Sequence, residues 1–156
     1  MNNKGFTVVE LIAAFSITMV ISAFLFELLI EVKTIFVETS LKTNIEEKTS
    51  IISKNINNLF NDTSNTVSCS STSNCTINGK SITAYQNNDK KVKDYIIVNS
   101  QKFAMPKDGD NYIKITDINF TYNNQGNEGY LKISFNLTSD NLTNKYLYNT
   151  VYYYKI

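Results

Sequence analysis

The chain has 156 residues, 42% of them hydrophobic and 12% aromatic, with a charged fraction of only 19% and a net charge of +1. That length suits one domain with an appendage, and the near-neutral balance exerts no broad pull toward nucleic acid. His and Arg are both absent, which removes the commonest general base and metal ligand and the residue best shaped for bidentate phosphate or guanine contacts.

Two Cys without a His partner cannot close a zinc site. No G-x-x-x-x-G-K-[ST], G-x-G-x-x-G or G-x-S-x-G motif occurs. Fourteen acidic residues leave acid–base chemistry open, but no spacing singles out a pair. The expectation is a protein that is not an enzyme, with no catalytic residue, no cofactor and no metal. Asn is abundant, which reads as a composition bias, and triplets such as Asn61-Asp62-Thr63 and Asn136-Leu137-Thr138 carry little weight as glycosylation sites in such a chain.

In chain order, a polar start, "MNNKG", gives way to a nearly continuous apolar run from Phe6 to Ile30. It is interrupted by Thr7, Glu10, Ser16, Thr18, Ser22 and Glu27. As a helix, Phe6 to Phe26 would extend roughly 31 Å, the thickness of a bilayer's hydrocarbon core. Neither Gly nor Pro appears from Glu31 to Phe60, and Val37, Leu41, Ile45, Ile52, Ile56 and Leu59 recur on one face. The spacing predicts one helix of about 50 residues, apolar all round at first and amphipathic afterwards, well beyond the usual globular length. It should end near "NNLFNDTSN".

Beyond Phe60 the period changes to two. Asn78-Gly79 between short apolar runs predicts a hairpin, and "DYIIVNS" with "KFAM" predicts a second. Three stronger strands follow: Tyr112 to Tyr122, then Leu131 to Leu137 after a turn at "NNQGNEG", then "KYLYNTVYYYKI" with Tyr148, Tyr152, Tyr154 and Ile156 on one side. A half-buried sheet needs a cover, and the stripe from Val37 to Leu59 is the free apolar face large enough to supply it. The expected fold class is therefore α+β: the second half of a long N-terminal helix packs on an antiparallel sheet while its apolar first half protrudes.

Glu10 is the anomaly. A carboxylate inside a membrane helix costs roughly 2.5–3.5 kcal/mol on insertion scales and is by default a functional residue. A buried core helix is not the expectation, because the remaining residues are too few to surround it. A cleaved secretory signal lacks its small-residue site, since the apolar run continues straight into the amphipathic helix. A plain signal anchor fits the length but leaves Glu10 unexplained.

The stretch "KGFTVVEL" resembles the processing site of type IV prepilins, the class of pilins, minor pilins and pseudopilins. A short basic leader ends in Gly5, followed by Phe6, Thr7, two aliphatic residues, Glu10, Leu11 and the apolar helix. The local match runs from Lys4 to about Phe26, and the long helix followed by an antiparallel sheet is similar to the pilin architecture. The resemblance implies a leader over residues 1–5, a membrane and filament-core half-helix over 6–30, an amphipathic half-helix over 31–60 and a β-rich head over 61–156. It implies that a prepilin peptidase cuts between Gly5 and Phe6 and methylates the new amino group of Phe6. Glu10 would then pair with the Phe6 amine of a neighbouring subunit, where a lone buried carboxylate is costly and a paired one gains strongly. Ala14, Thr18 and Ser22 continue the Glu10 stripe at intervals of four, and small residues let helices approach closely in apolar surroundings. The chain departs from many pilins in having no Pro or Gly within the apolar half.

The implied partners are the membrane, the peptidase, sister pilin subunits and an assembly platform with its ATPase; direct nucleic-acid binding is not expected. The implied location is the cytoplasmic membrane with the amino end inside, then a filament outside. Cys69 and Cys75, in "CSSTSNC", would lie outside the membrane, where disulfides persist; the expectation is a structural disulfide, with "STSN" as a candidate contact surface of the kind pilin-like proteins carry there. Within the class, a minor pilin or pseudopilin is favoured over a major subunit. The competing reading is a signal-anchored surface protein that binds a ligand and never polymerises.

Overall fold

A computed structural model describes residues 7–156 of the chain. The fold is α+β: one helix, α1 (Val8–Asn57), precedes ten strands. The chain divides into two compact units, the first ending at Val37 and the second Glu38–Ile156. Helix α1 is 50 residues long, as the uninterrupted pattern without Gly or Pro predicts. It closes with Leu59 and Phe60 turning back on the carbonyls of Ile56 and Asn57.

The second unit carries the core. Five strands, β1 (Val67–Ser71), β2 (Asn74–Ile77), β3 (Lys80–Tyr85), β4 (Tyr95–Val98) and β5 (Gln101–Ala104), form an antiparallel sheet in sequence order. Both predicted hairpins are present. Asn78 and Gly79 take φ of 51° and 77°, and Asn99 and Ser100 take 48° and 69°, the left-handed pair that a two-residue hairpin turn requires. A two-residue ladder, β6 (Lys107–Asp108) with β7 (Asn111–Tyr112), leads to β8 (Lys114–Gln125), β9 (Glu128–Thr138) and β10 (Tyr146–Lys155), a separate sheet ordered β10-β9-β8.

There are thus two main sheets where a single covered sheet is expected from the sequence, and strand bounds shift. Tyr112 belongs to β7, not to the strand that follows, because Ile113 turns its N–H to the Pro106 carbonyl. The turn at "NNQGNEG" shrinks to Gly126-Asn127, since Gln125 already pairs with Glu128. Ile156 lies beyond β10 and is exposed.

Period two does the remaining work. Leu131, Ile133, Phe135 and Leu137 of β9 are all buried, and Tyr148, Tyr152 and Tyr154 of β10 join them. Against this face lies the stripe Leu41, Ile45, Thr49, Ile52 and Ile56 of α1. The Ser53 hydroxyl shares hydrogen bonds with the Tyr148 and Tyr152 hydroxyls at 2.9 and 2.8 Å, so the polar tips of the inward tyrosines are satisfied under the helix. Burial, with the neighbouring Tyr148 hydroxyl, pushes the Tyr152 phenol well above its ordinary pKa.

Two asparagines knot the helix exit to the strands. Buried Asn65 bonds both backbone groups of Asn61, and its own N–H reaches the Lys155 carbonyl. The Asn78 amide donates to the Leu59 carbonyl and to Asn65 Oδ1, each at 2.9 Å. At these two positions Asn is structural and not merely a compositional excess.

Candidate functional site

Every large apolar side chain from Val8 to Phe36 is 53–75% exposed. Among the described residues this helix is long and apolar enough to cross a membrane. The exposed surface is continuous around the helix, so it presents a solvent preference and not one docking face.

Glu10 is not isolated at the start of this helix. The Thr7 N–H and Thr7 hydroxyl both donate to Glu10 Oε2 at 2.9 Å, and the Glu10 N–H donates back to the Thr7 hydroxyl at 3.3 Å. Thr7-Val8-Val9-Glu10 is a reciprocal capping box: Thr7 caps the first turn and the carboxylate three residues on satisfies the cap's own N–H. Two otherwise orphaned donors of the helix start are thereby paired within the chain. The T-x-x-E spacing announces this in the sequence, but Thr7 and Glu10 read there only as interruptions of an apolar run and as members of a processing motif. Gly5 and Phe6, the expected cleavage and methylation positions, lie outside the described residues.

The stripe continuing from Glu10 is present in the helix. The Thr18 hydroxyl donates to the Ala14 carbonyl at 2.8 Å, and the Ser16 hydroxyl to that of Ile12 at 2.9 Å. These hydroxyls are satisfied inside their own helix and do not demand a polar neighbour. Ala14, Thr18 and Ser22 therefore offer small positions along one line, with the Thr18 hydroxyl bonded within the helix.

In the second unit, Cys69 and Cys75 form a disulfide. They do not sit in a free loop. Each lies in a strand, β1 and β2, directly opposite the other. The tip between them is also tied down: the Thr72 carbonyl accepts from the Phe120 N–H and the Ser73 carbonyl from that of Ala84, both at 2.8 Å. The "STSN" tip is a fixed corner of the head.

Charged groups converge in one hollow of about 110 Å³ beside β6 and β8. Lys114 donates to Asp94 and to the Asp89 and Val92 carbonyls at 2.8–2.9 Å, and buried Asp94 also accepts from the Ile115 and Asn87 N–H groups. Lys90 pairs with Asp140 at 2.6 Å. Burial pushes the Asp108 carboxyl up, but hydrogen bonds from Ser139 and Asn141 outweigh it and hold the group below the usual carboxylate range. These groups satisfy one another and brace the loops around β8. Among the described residues, no group of three His, Cys, Asp or Glu side chains is placed to hold a metal ion. No family model, curated protein or solved structure matches the chain.

Proposed function

We propose that this chain is a prepilin of the type IV filament class, a minor pilin or pseudopilin whose task is assembly and not catalysis. The observation that carries the reading is the sequence Lys4-Gly5-Phe6-Thr7-Val8-Val9-Glu10, continued by a helix exposing apolar side chains all round through Phe36. In this reading the chain waits in the cytoplasmic membrane through that helix. A prepilin peptidase removes residues 1–5 and methylates Phe6. The platform and ATPase then move the helix from lipid into a bundle of sister helices. Glu10 changes partner on the way: the new amine lies four residues upstream, and an ammonium from a neighbouring subunit gives the carboxylate a charge-assisted bond in low dielectric.

The Thr7–Glu10 capping box also supports a second reading, a membrane-anchored surface protein that never polymerises, because it gives Glu10 a use that needs no neighbour. One substitution separates the two. Glu10→Gln keeps the capping box, since Gln serves at that position as Glu does, but removes the charge. Filament assembly requires that Glu10→Gln be processed normally and yet fail to appear in sheared filaments. The wild-type protein in those filaments should begin at N-methylated Phe6 by mass spectrometry. A membrane-bound protein that retains Met1, with Glu10→Gln indistinguishable from wild type, favours the anchor.

A further inference from the structure

The alternation of β10 forces one aromatic side chain out of the core. In "VYYYK", Tyr152 and Tyr154 point inward, so Tyr153 must point outward; it is 81% exposed, the highest value among the large hydrophobic residues. Its direct partner across the ladder is Tyr130 of β9. The two rings meet at 6.5 Å between centroids, tilted by 59°, and form an open aromatic corner. The next position along β9 is Gly129, where a Cβ would come within 2.7 Å of the Tyr154 ring. The glycine leaves room for that inward ring directly across the ladder.

Two hollows flank this ring and share Tyr153, Glu128 and Gly129. One, of about 180 Å³, is walled by Asn123, Gln125 and Tyr130. The other, of about 430 Å³, is walled by Asn61, Asp62, Tyr154 and Lys155. No hydrogen bond joins the side chains of Asn61, Asp62, Asn123, Gln125 or Glu128 to another described residue. The hollow beside β8 is the contrast, since its charged groups are already bonded to one another.

We propose that the Tyr153 corner binds a neutral saccharide. A sugar ring has an apolar C–H face that fits the negative face of an aromatic ring, and hydroxyls that donate strongly to carboxylates and exchange hydrogen bonds with amides. The corner supplies both, with the polar groups lining the two hollows that the ring also lines. Its charge selects against anions: Asp62 and Glu128 face the two hollows and Lys155 is the one cation among the lining residues. A nucleic-acid strand requires the opposite balance. The site lies wholly within the second unit, so the proposal holds whether or not the chain polymerises.

The test uses the full chain in lipid nanodiscs free of glycolipid, applied to an array of neutral oligosaccharides built from hexoses and N-acetylhexosamines. Sialylated and sulfated glycans and single-stranded DNA serve as further arms. Binding to neutral members is expected, with Tyr153→Ala weakening it about tenfold or more and Tyr153→Phe retaining it; a tenfold change is the scale of a single good contact. Asp62→Asn and Glu128→Gln should each weaken it severalfold. Tyr85→Ala, on the other sheet, should leave it unchanged, and Tyr153→Ala should still melt cooperatively within a few degrees of wild type, since outside the core it loses only its cross-strand contact with Tyr130. Binding that survives Tyr153→Ala, a preference for the anionic arms, or no neutral glycan bound at millimolar concentration overturns the proposal.

Discussion

The two parts of helix α1 have similar helix-forming continuity and opposite fates. From Val8 to Phe36 no large apolar side chain is covered, whereas Leu41, Ile45, Ile52 and Ile56 are almost wholly removed from water. The difference is not hydrophobicity, since the first part is the more apolar of the two. It is the presence of a complementary face: β9 and β10 offer a second apolar surface to the Leu41–Ile56 stripe, and among the described residues the first unit contains no strand to do so. Local propensity makes the helix; a partner surface decides which part of it belongs to a folded core.

Five variants press on that comparison. The largest effect is expected from Ile52→Ala, which leaves a cavity under the sheet and should lower the unfolding free energy of the head by about 3 kcal/mol. Chemical denaturation of the full chain in detergent reads this out, and a loss below about 1 kcal/mol would mean that the stripe is not seated as described. Next, replacing Cys69 and Cys75 together by Ser should cost about 2 kcal/mol on the chain-entropy view of a short closed loop. Mass spectrometry of non-reduced peptides should show the linked pair in the wild type.

The third concerns pH. The folded Tyr152 phenol titrates well above its ordinary value, while in the unfolded chain it titrates near about 10. The unfolded state therefore holds fewer protons in alkali, and stability falls as pH rises beyond about 10. Tyr152→Phe should flatten that fall, and an unchanged alkaline slope would assign it to other groups. The smallest effects belong to the first unit. Thr7→Ala should weaken the helix start by about 1 kcal/mol, visible as faster hydrogen exchange of the first-turn amides with no change in head melting. Leu25→Ala should change head stability by less than about 0.5 kcal/mol; a larger loss would show that the exposed segment packs on the head.

Much of this was open to reading in the residues. The length of α1 follows from an unbroken stretch without Gly or Pro, and the stripe from Leu41 to Leu59 from its spacing. Asn78-Gly79 announces its hairpin because both residues tolerate positive φ. The Asn99-Ser100 turn is less visible, since Ser enters that region at a cost. The split into two sheets was hidden for a different reason. Each strand's alternation says which residues point inward, but nothing in it says which other strand lies beside it. The same holds for Cys69 and Cys75: their separation in sequence suggests a loop, and only strand pairing places them opposite one another.

At the candidate sites the division is similar. The sequence by itself determined the apolar helix, the carboxylate at its start and the motif around Gly5 and Phe6, because these depend on composition and local order. The Thr7–Glu10 box was also local, and its spacing was there to be read. Tertiary structure alone decided that Asn65 and Asn78 knot the helix exit to the sheets. It also decided that Lys114 and Asp94 pair in the interior, and that Tyr130 and Tyr153 meet as an exposed corner. Each of these joins residues distant along the chain, and such contacts are fixed only when burying the core brings the strands into register.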